Sequence, residues 1–225
     1  MTTTAPRTAR HESPSLRALR LDLVLQRPVL WFGGALALVV LLLALGGIAF
    51  VGVVPILMAV GVPVAFGARE PLREAALRGS LGIGRAAHAR ARTGLVLALQ
   101  LLLLALAAIV ILLHAHHAPY DDAIVTRPLG PDAVMWAGAV LWSHIWVGRD
   151  ALHHSSTVLW ARASISYACF YVAAMVGMGI PVVVAGLLGA GVFAVPIGTA
   201  IGAVVVLGGA LAVLRWRSRV WARTA

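Results

Sequence analysis

Three histidines and two aspartates occur close together between two long apolar runs, and their side chains are of the kinds that bind transition metals. Histidine nitrogens and aspartate oxygens are ligands for Zn²⁺ and Cu²⁺. One hypothesis is therefore a metal-binding membrane enzyme that uses this cluster. The alternative is that the side chains are simply solvated at a membrane edge. The candidate ligands are His114, His116, His117, Asp121 and Asp122.

A further histidine, His144, interrupts an apolar run between Trp142 and Trp146. A polar side chain at membrane depth is costly, so its presence needs a reason. A hydrogen bond to a neighbouring helix is one explanation, and a position on a transport path is the other. We take His144 as a candidate transport-path residue.

Other kinds of chemistry lack the residues that they require. All 18 basic residues are arginines, and a phosphate-binding P-loop needs a lysine. Residues 82–87 match the pattern GxGxxA, but no strand is predicted before them and no acidic residue follows about 20 positions later. The single cysteine, Cys169, lies in an apolar run, which excludes a disulfide framework. We therefore predict neither an enzyme nor a cofactor on this chain.

The composition indicates which elements must position these residues. Hydrophobic residues make up 61% of the chain, charged residues make up 12%, and the mean hydropathy is +0.94. A helix needs about 20 mostly apolar residues to cross the ~30 Å hydrocarbon core of a bilayer. The sequence therefore predicts an all-α integral membrane protein with six transmembrane helices. The predicted spans are 29–47, 49–67, 94–113, 133–148, 164–187 and 190–214.

The arginines predict the orientation of these spans. With six spans, 17 of the 18 arginines fall on one side of the membrane, and Arg127 alone falls on the other. By the positive-inside rule both termini are then cytoplasmic. The net charge of +10 reflects this flanking pattern, which favours membrane orientation over nucleic-acid binding. We predict a multi-pass protein of a bacterial cytoplasmic membrane, with a disordered tail at 1–14 and a single six-helix domain at 15–225.

The segment before the first span, 15–28, is predicted to be an amphipathic helix at the membrane surface. Ser15 is the expected cap of this helix. Its leucines would face lipid, and its arginines would face lipid phosphates. The residues of this interfacial helix are Leu16, Arg17, Leu19, Arg20 and Leu23.

The connection between the second and third spans, 69–94, is the most charged part of the chain. It holds six arginines and two glutamates, and it is broken by glycines at 79, 82 and 84. Glu70-Pro71 suits the start of a short helix, because proline is tolerated at the first helical position. The pattern becomes helical again at Arg85 and runs into the third span, with Arg85, His88 and Arg92 on one face at the membrane surface. One interpretation is a basic loop that contacts anionic lipids, and the other is a docking element for a cytoplasmic partner.

This layout resembles the small permease subunits of ABC exporters of the ABC-2 type. In that family an acidic residue, a short coupling helix and a turn ending in arginine lie between the second and third spans, with a basic residue seven positions later. Here Glu70 and Glu74 precede the sequence LGIGR at 81–85, and Arg92 follows at the matching spacing. The chain differs from the family at Gly82 and Gly84, where proline and a hydroxyl residue are usual.

The resemblance implies an exporter permease that forms its translocation path as a dimer, with an identical or paralogous second permease. A separate ABC ATPase, carrying ATP and Mg²⁺, would dock on the coupling helix. A non-catalytic membrane immunity or assembly protein is the alternative from another class. The implied docking residues are Glu70, Leu72, Arg73, Glu74, Leu77, Arg78, Leu81, Ile83, Arg85 and Arg92.

Overall fold

The computed structural model describes residues 13–48, 53–67, 72–117, 131–146, 156–189 and 193–224, and these residues form helices and short turns without any strand. The helices are α1 (Pro14–Leu25), α2 (Arg27–Leu45), α3 (Val53–Gly67), α4 (Leu72–Ser80), α5 (Arg85–His117), α6 (Pro131–Leu141), α7 (Ser156–Leu188) and α8 (Ala194–Thr224). A 3-10 turn, Trp142–Trp146, follows α6 directly.

Four of the helices are long and apolar enough to cross a membrane. They comprise Arg27–Leu45, Ala86–Leu113, Trp160–Leu188 and Ala194–Arg217, in α2, α5, α7 and α8. The chain is therefore an all-α, multi-pass membrane protein, as the composition predicts. The third, fifth and sixth predicted spans correspond to long helices, since α5 and α7 begin before their predicted spans and α8 continues after its predicted end.

The other two predicted spans are short in the structure. Helix α3 has 15 residues, which corresponds to about 22 Å at 1.5 Å per residue. Helix α6 has only 11 residues before the 3-10 turn begins at Trp142, so its α-helical part rises about 16 Å. The described part of the predicted fourth span, 133–148, thus changes from α-helix to 3-10 helix at Trp142, and a count of six spans stays a prediction.

Glycines end three of the elements where the sequence predicts turns. Gly47, Gly82 and Gly189 have φ values of +81°, +62° and +74°, a region that residues with a Cβ rarely adopt. The first follows α2, the second separates α4 from α5, and the third follows α7. The helix–break–helix pattern of 69–94 is confirmed for the part from Leu72 onwards, and residues 68–71 lie outside the described part.

Helices α3, α5, α6, α7 and α8 share one apolar core. Its buried side chains come from all five helices and include Val60, Leu103, Val140, Phe170 and Val206. Helix α2 lies at the edge, where Val40 and Ala44 pack on Val110 of α5. The outer face of α2 is largely exposed, as expected for a helix that contacts lipid.

Small residues let α7 and α8 approach closely. A Cβ built on Gly198 would lie 2.5 Å from Cα of Pro181, and one on Gly202 would lie 2.7 Å from the carbonyl oxygen of Gly177. The GxxxG pair at 198–202 is therefore used for packing within the chain. Backbone contact at this distance leaves no room for a larger side chain.

Candidate functional sites along helix α5

Helix α5 carries one buried stripe along its length. Its members recur at helical spacing, so they share one face of the helix. They are His88, Arg92, Val96, Gln100, Leu103, Ala107 and Val110. Three of the first four are polar. They form two polar sites on a single helix, one at His88 and Arg92 and one at Gln100. At 1.5 Å per residue, His88 and Gln100 are about 18 Å apart along the helix.

Helix α1 packs against the first turns of α5. Its cap is Ser13 rather than the predicted Ser15, because Ser13 Oγ accepts a hydrogen bond from the Leu16 amide at 3.4 Å and Pro14 takes the first helical position. Leu16, Leu23, Arg17 and Arg20 are all exposed, and the orientation of the leucines toward lipid and of the arginines toward phosphates stays a prediction. The buried face of the helix is nevertheless polar.

That buried face holds Ala18, Asp22 and Gln26, all of which are completely buried. Asp22 Oδ1 lies 3.1 Å from Nε2 of His88 and 3.3 Å from a guanidinium nitrogen of Arg92. His88 and Arg92 are only 2% and 3% exposed. Helix α1 thus covers this face of α5, and the position of His88 and Arg92 at the level of the membrane surface stays a prediction.

Arg78 of α4 completes the group that we call the charged joint, which consists of Asp22, Arg78, His88 and Arg92. Its Nη1 lies 2.7 Å from Nδ1 of His88. A guanidinium can only donate hydrogen bonds, so Nδ1 must accept and the proton of a neutral ring lies on Nε2. Nε2 then donates to Asp22. His88 thereby connects α4 to α1 through its two ring nitrogens.

Helix α4 presents apolar side chains away from this connection. Leu77 and Leu81 are 42% and 47% exposed, whereas Ile83 is buried. The turn after α4 is held by backbone bonds, including that from the Ile83 amide to the Arg78 carbonyl at 3.0 Å. Helix α4 and the turn after it therefore expose two leucines, while Arg78 attaches α4 to α5.

Some polar atoms near the charged joint lack a hydrogen-bond partner among the described residues. They are Oδ2 of Asp22 and both amide atoms of Gln26. Buried polar atoms are normally paired with protein or with ordered water. Gln26 lies one turn after Asp22 at the junction of α1 and α2, so these atoms lie on the same buried face.

The second site, which we call the polar core, consists of Gln100, Ser143, His144 and Ser166, all completely or almost completely buried. One of its hydrogen bonds depends on a proline in α3. Pro63 lies inside α3 and has no N–H, so the carbonyl of Ala59, four residues earlier, loses its helical partner. Gln100 Nε2 donates to that carbonyl at 2.9 Å and lies 3.2 Å from Ser143 Oγ.

This arrangement determines the state of His144. Since the Gln100 amide nitrogen faces Ala59, its oxygen faces His144, and Nε2 of His144 hydrogen-bonds to that oxygen. An amide oxygen only accepts, so Nε2 carries a proton, and in a neutral ring the lone pair is on Nδ1. Nδ1 is buried and has no partner within the described part of the chain. In its neutral form His144 therefore presents a hydrogen-bond acceptor in the interior of the bundle.

The 3-10 turn that carries His144 is attached to several helices. Trp142 Nε1 donates to the Val206 carbonyl of α8 at 3.1 Å, and Ser166 Oγ of α7 donates to the Ser143 carbonyl at 3.3 Å. The 3-10 turn is thus held by hydrogen bonds to α7 and α8. Next to it, Tyr167 of α7 donates to the Leu57 carbonyl of α3 at 3.0 Å.

Several predicted residues fall outside these descriptions. Glu70, Asp121 and Asp122 lie outside the described residues, as do the side chains of Leu72, Arg73, Glu74, Arg85, His114, His116 and His117. The metal hypothesis therefore stays a prediction. Among the side chains that are described, no group of three metal-binding residues occurs.

The structure also brings forward residues that the sequence analysis did not select. Asp22 and Gln26 are the main ones in α1, and Gln100 and Ser143 are the main ones in the core. Asp22 is the sole acidic residue between positions 13 and 69, and the chain's two glutamines are Gln26 and Gln100. Because such residues are rare in apolar surroundings, their presence was a usable indication of a polar site.

No protein family model, curated protein or solved structure matches the chain.

Proposed function

We propose that this chain is the permease subunit of an ABC exporter of the ABC-2 type. It would reside in a bacterial cytoplasmic membrane with both termini in the cytoplasm. It would form a translocation path with a second permease and be driven by a separate ATPase that binds α4. The observation that carries the proposal is the attachment of α4 to buried residues of α5 and α1 through Arg78 and His88.

This attachment supports a coupling role because it gives the surface helix two distinct sides. On one side Leu77 and Leu81 expose apolar surface, which is the kind of surface that a partner protein buries. On the other side Arg78 contacts His88, which contacts Asp22. A displacement of α4 by a partner would therefore be transmitted to α5 and α1 together.

The polar core supplies the part of the proposal that concerns transport. Gln100 lies on the same stripe of α5 as His88, so a tilt of α5 would move Gln100 relative to Ala59 of α3 and His144. Polar and ionisable side chains inside a transmembrane bundle are rare, and they mark substrate and ion pathways. His144, with its lone pair on Nδ1, is the side chain that we place on the path.

The test is site-specific cross-linking on full-length protein in native membranes. A photoreactive amino acid at Leu81 should capture a protein that carries a P-loop lysine and hydrolyses ATP, identified by mass spectrometry. Purified with that ATPase in nanodiscs, the double variant Leu77→Ser/Leu81→Ser should lose the stimulation of ATP hydrolysis by the permease. Capture of a protein without a P-loop, or no capture at all, would refute the proposal.

A matched control separates docking from general damage. Leu16 of α1 is 43% exposed, which is close to the values for Leu77 and Leu81. Leu16→Ser makes the same chemical change at similar exposure on a different element. It should leave ATPase stimulation near the wild-type level, and an equal loss in both variants would argue against α4 as the docking site.

A further inference from the structure

We propose that the exposed face of α2 binds one anionic phospholipid, whose phosphate pairs with Arg27 and whose acyl chain lies in an apolar groove along the helix. The groove has a volume of about 470 Å³. The inference goes beyond the proposed function and does not depend on it, since it concerns a surface of this chain alone. The residues that line the groove are Arg27, Leu30, Trp31, Gly34, Ala35 and Leu38.

The groove is a gap in the side-chain surface of α2. Its lining residues recur at spacings of three and four, so they form one stripe along the helix. Gly34 and Ala35 are small and exposed, and a Cβ built on Gly34 meets no atom within 4 Å. Trp31 and Leu38 are larger, are also exposed, and precede and follow them along the stripe. The residues of α2 that pack on α5 belong to a different stripe.

The length of the groove matches one leaflet of a bilayer. Positions 27 and 38 are 11 residues apart, which corresponds to about 16 Å along a helix. The hydrocarbon core of a bilayer is about 30 Å thick, so one leaflet supplies about half of that. A groove of this length with a charge at one end and apolar walls has the shape and polarity of a single phospholipid tail and its headgroup.

The charge of Arg27 is available to a ligand. Arg27 is exposed. Among the described side chains Asp22 is the sole carboxylate; one of its oxygens contacts His88 and Arg92, and the other has no hydrogen-bond partner. No carboxylate of the described part therefore pairs with Arg27. A guanidinium binds phosphate oxygens in a bidentate way, and a net negative lipid complements its charge better than a zwitterionic lipid does.

A second copy of this chain is the other occupant to consider. Two copies in one membrane have the same orientation, so a two-fold contact along this stripe would place the same residues opposite each other. The two Arg27 side chains would then lie at the same depth, and like charges across an interface are unfavourable. A phospholipid supplies the missing negative charge instead, which is why we place a lipid in the groove.

Native mass spectrometry of the full-length protein in a non-ionic detergent tests the inference. Phosphatidylglycerol and phosphatidylcholine with identical acyl chains are titrated separately. We expect one phosphatidylglycerol to bind more tightly than any further copy, and about fivefold more tightly than phosphatidylcholine, as one arginine near an anionic lipid would give. Equal affinities for the two lipids, or no distinct first site, would overturn the inference.

Two variants separate the acyl chain from the headgroup. Gly34→Leu fills the groove, so it should remove the tight first site for both lipids. Arg27→Gln leaves the groove open and removes the charge, so phosphatidylglycerol should then bind no better than phosphatidylcholine. If Arg27→Gln keeps the preference for phosphatidylglycerol, Arg27 does not bind the headgroup and the inference fails.

Each variant has a matched control on another membrane helix. Gly179→Leu makes the same change at an exposed glycine of α7 whose Cβ also meets open space, and Arg219→Gln removes an exposed arginine of α8. Both should bind lipid as the wild type does. An equal loss in a variant and its control would mean that the groove is not a distinct site.

The same spectra identify the competing occupant, because they report the mass of any dimer. If Gly34→Leu abolishes a dimer and leaves lipid binding unchanged, the groove takes a second copy of this chain and the inference is wrong. Thermal unfolding of all four variants should resemble that of the wild type, since none of the four positions is buried. A loss of lipid binding is therefore expected without a loss of fold.

Discussion

The charged joint and the polar core lie on the same buried stripe of α5, but they differ in charge, in partners and in what surrounds them. In the joint, Asp22 contacts both His88 and Arg92, His88 also contacts Arg78, and these contacts link two short helices to α5. The polar core contains uncharged groups only and lies between the long helices. The joint can therefore be broken by a change of charge, whereas the core can be broken only by a change of shape or of hydrogen bonding.

A membrane protein that transmits movement from a surface helix to its membrane-spanning helices requires this difference. Charged groups are tolerated at the end of the bundle, where water and lipid headgroups are near, and they allow one element to be released without unfolding the rest. In the apolar interior an unpaired charge costs several kcal/mol, about 2.5–3.5 at the centre of a helix by insertion measurements. Uncharged side chains that complete the backbone hydrogen bonds of kinked helices avoid this cost.

The largest expected effect comes from removing the charge of Asp22. Asp22→Asn keeps the size of the side chain but leaves Arg92 with a buried positive charge, and breaking a buried ion pair in this way costs about 3–5 kcal/mol. We expect a loss of that order in the free energy of unfolding, measured by SDS titration in mixed micelles.

Arg17→Gln is the control for this change, because Arg17 lies on the exposed face of the same helix. Its effect should stay within about 0.5 kcal/mol. If Asp22→Asn is no more destabilising than Arg17→Gln, charge is not what distinguishes the joint from the core, and the comparison fails.

An intermediate effect is expected where shape alone matters. Gly202→Ala places a Cβ 2.7 Å from the Gly177 carbonyl oxygen, and overpacking of this kind costs about 1–3 kcal/mol. Gly208→Ala, on the same helix, meets nothing within 4 Å and should be neutral or stabilising. Thermal unfolding of both variants checks this, and equal melting temperatures would show that α7 and α8 can separate without cost.

The smallest effect is expected from the hydrogen bonds of the polar core. Gln100→Leu removes the donor to the Ala59 carbonyl and the acceptor for His144, and hydrogen bonds between membrane helices contribute about 0.6 kcal/mol on average and up to about 1.7. We expect a loss in this range for each bond, measured by the same SDS titration.

A double-mutant cycle with Pro63→Ala sharpens this last measurement. That substitution restores an N–H at position 63, which can pair with the Ala59 carbonyl as in a regular helix. Gln100→Leu should then cost less in the Pro63→Ala background than in the wild type. If Gln100→Leu lowers the free energy of unfolding equally in both backgrounds, Pro63 is not the reason that the Ala59 carbonyl accepts from Gln100.

Much of the architecture could be predicted from local patterns. The apolar runs of α2, α5, α7 and α8, the glycine turns after α2 and α7, and the end of α4 at Ser80 all depend on residues that are close in sequence. Arg92 was selected as a docking residue, which stays a prediction, and its burial against Asp22 was not foreseen.

The partners of the polar residues could not be predicted in this way. Asp22 is 66 positions from His88 and 70 from Arg92, and Gln100 is 41 positions from Ala59. Nothing in local periodicity specifies which turn of α1 lies on which turn of α5. For the same reason the interruption of α6 at Trp142 was missed, because it is stabilised by α7 and α8 rather than by a helix breaker in its own sequence.

The amino-acid sequence by itself determined that this chain enters a membrane, where its long helices lie and that it lacks the lysine of a P-loop. Those properties follow from hydrophobicity, helix-ending residues and composition, which act locally. The tertiary structure alone decided that Asp22 meets His88 and Arg92, and that Gln100 serves the carbonyl left free by Pro63. Buried polar groups must find partners wherever packing brings helices together, so their roles appear only once the helices are assembled.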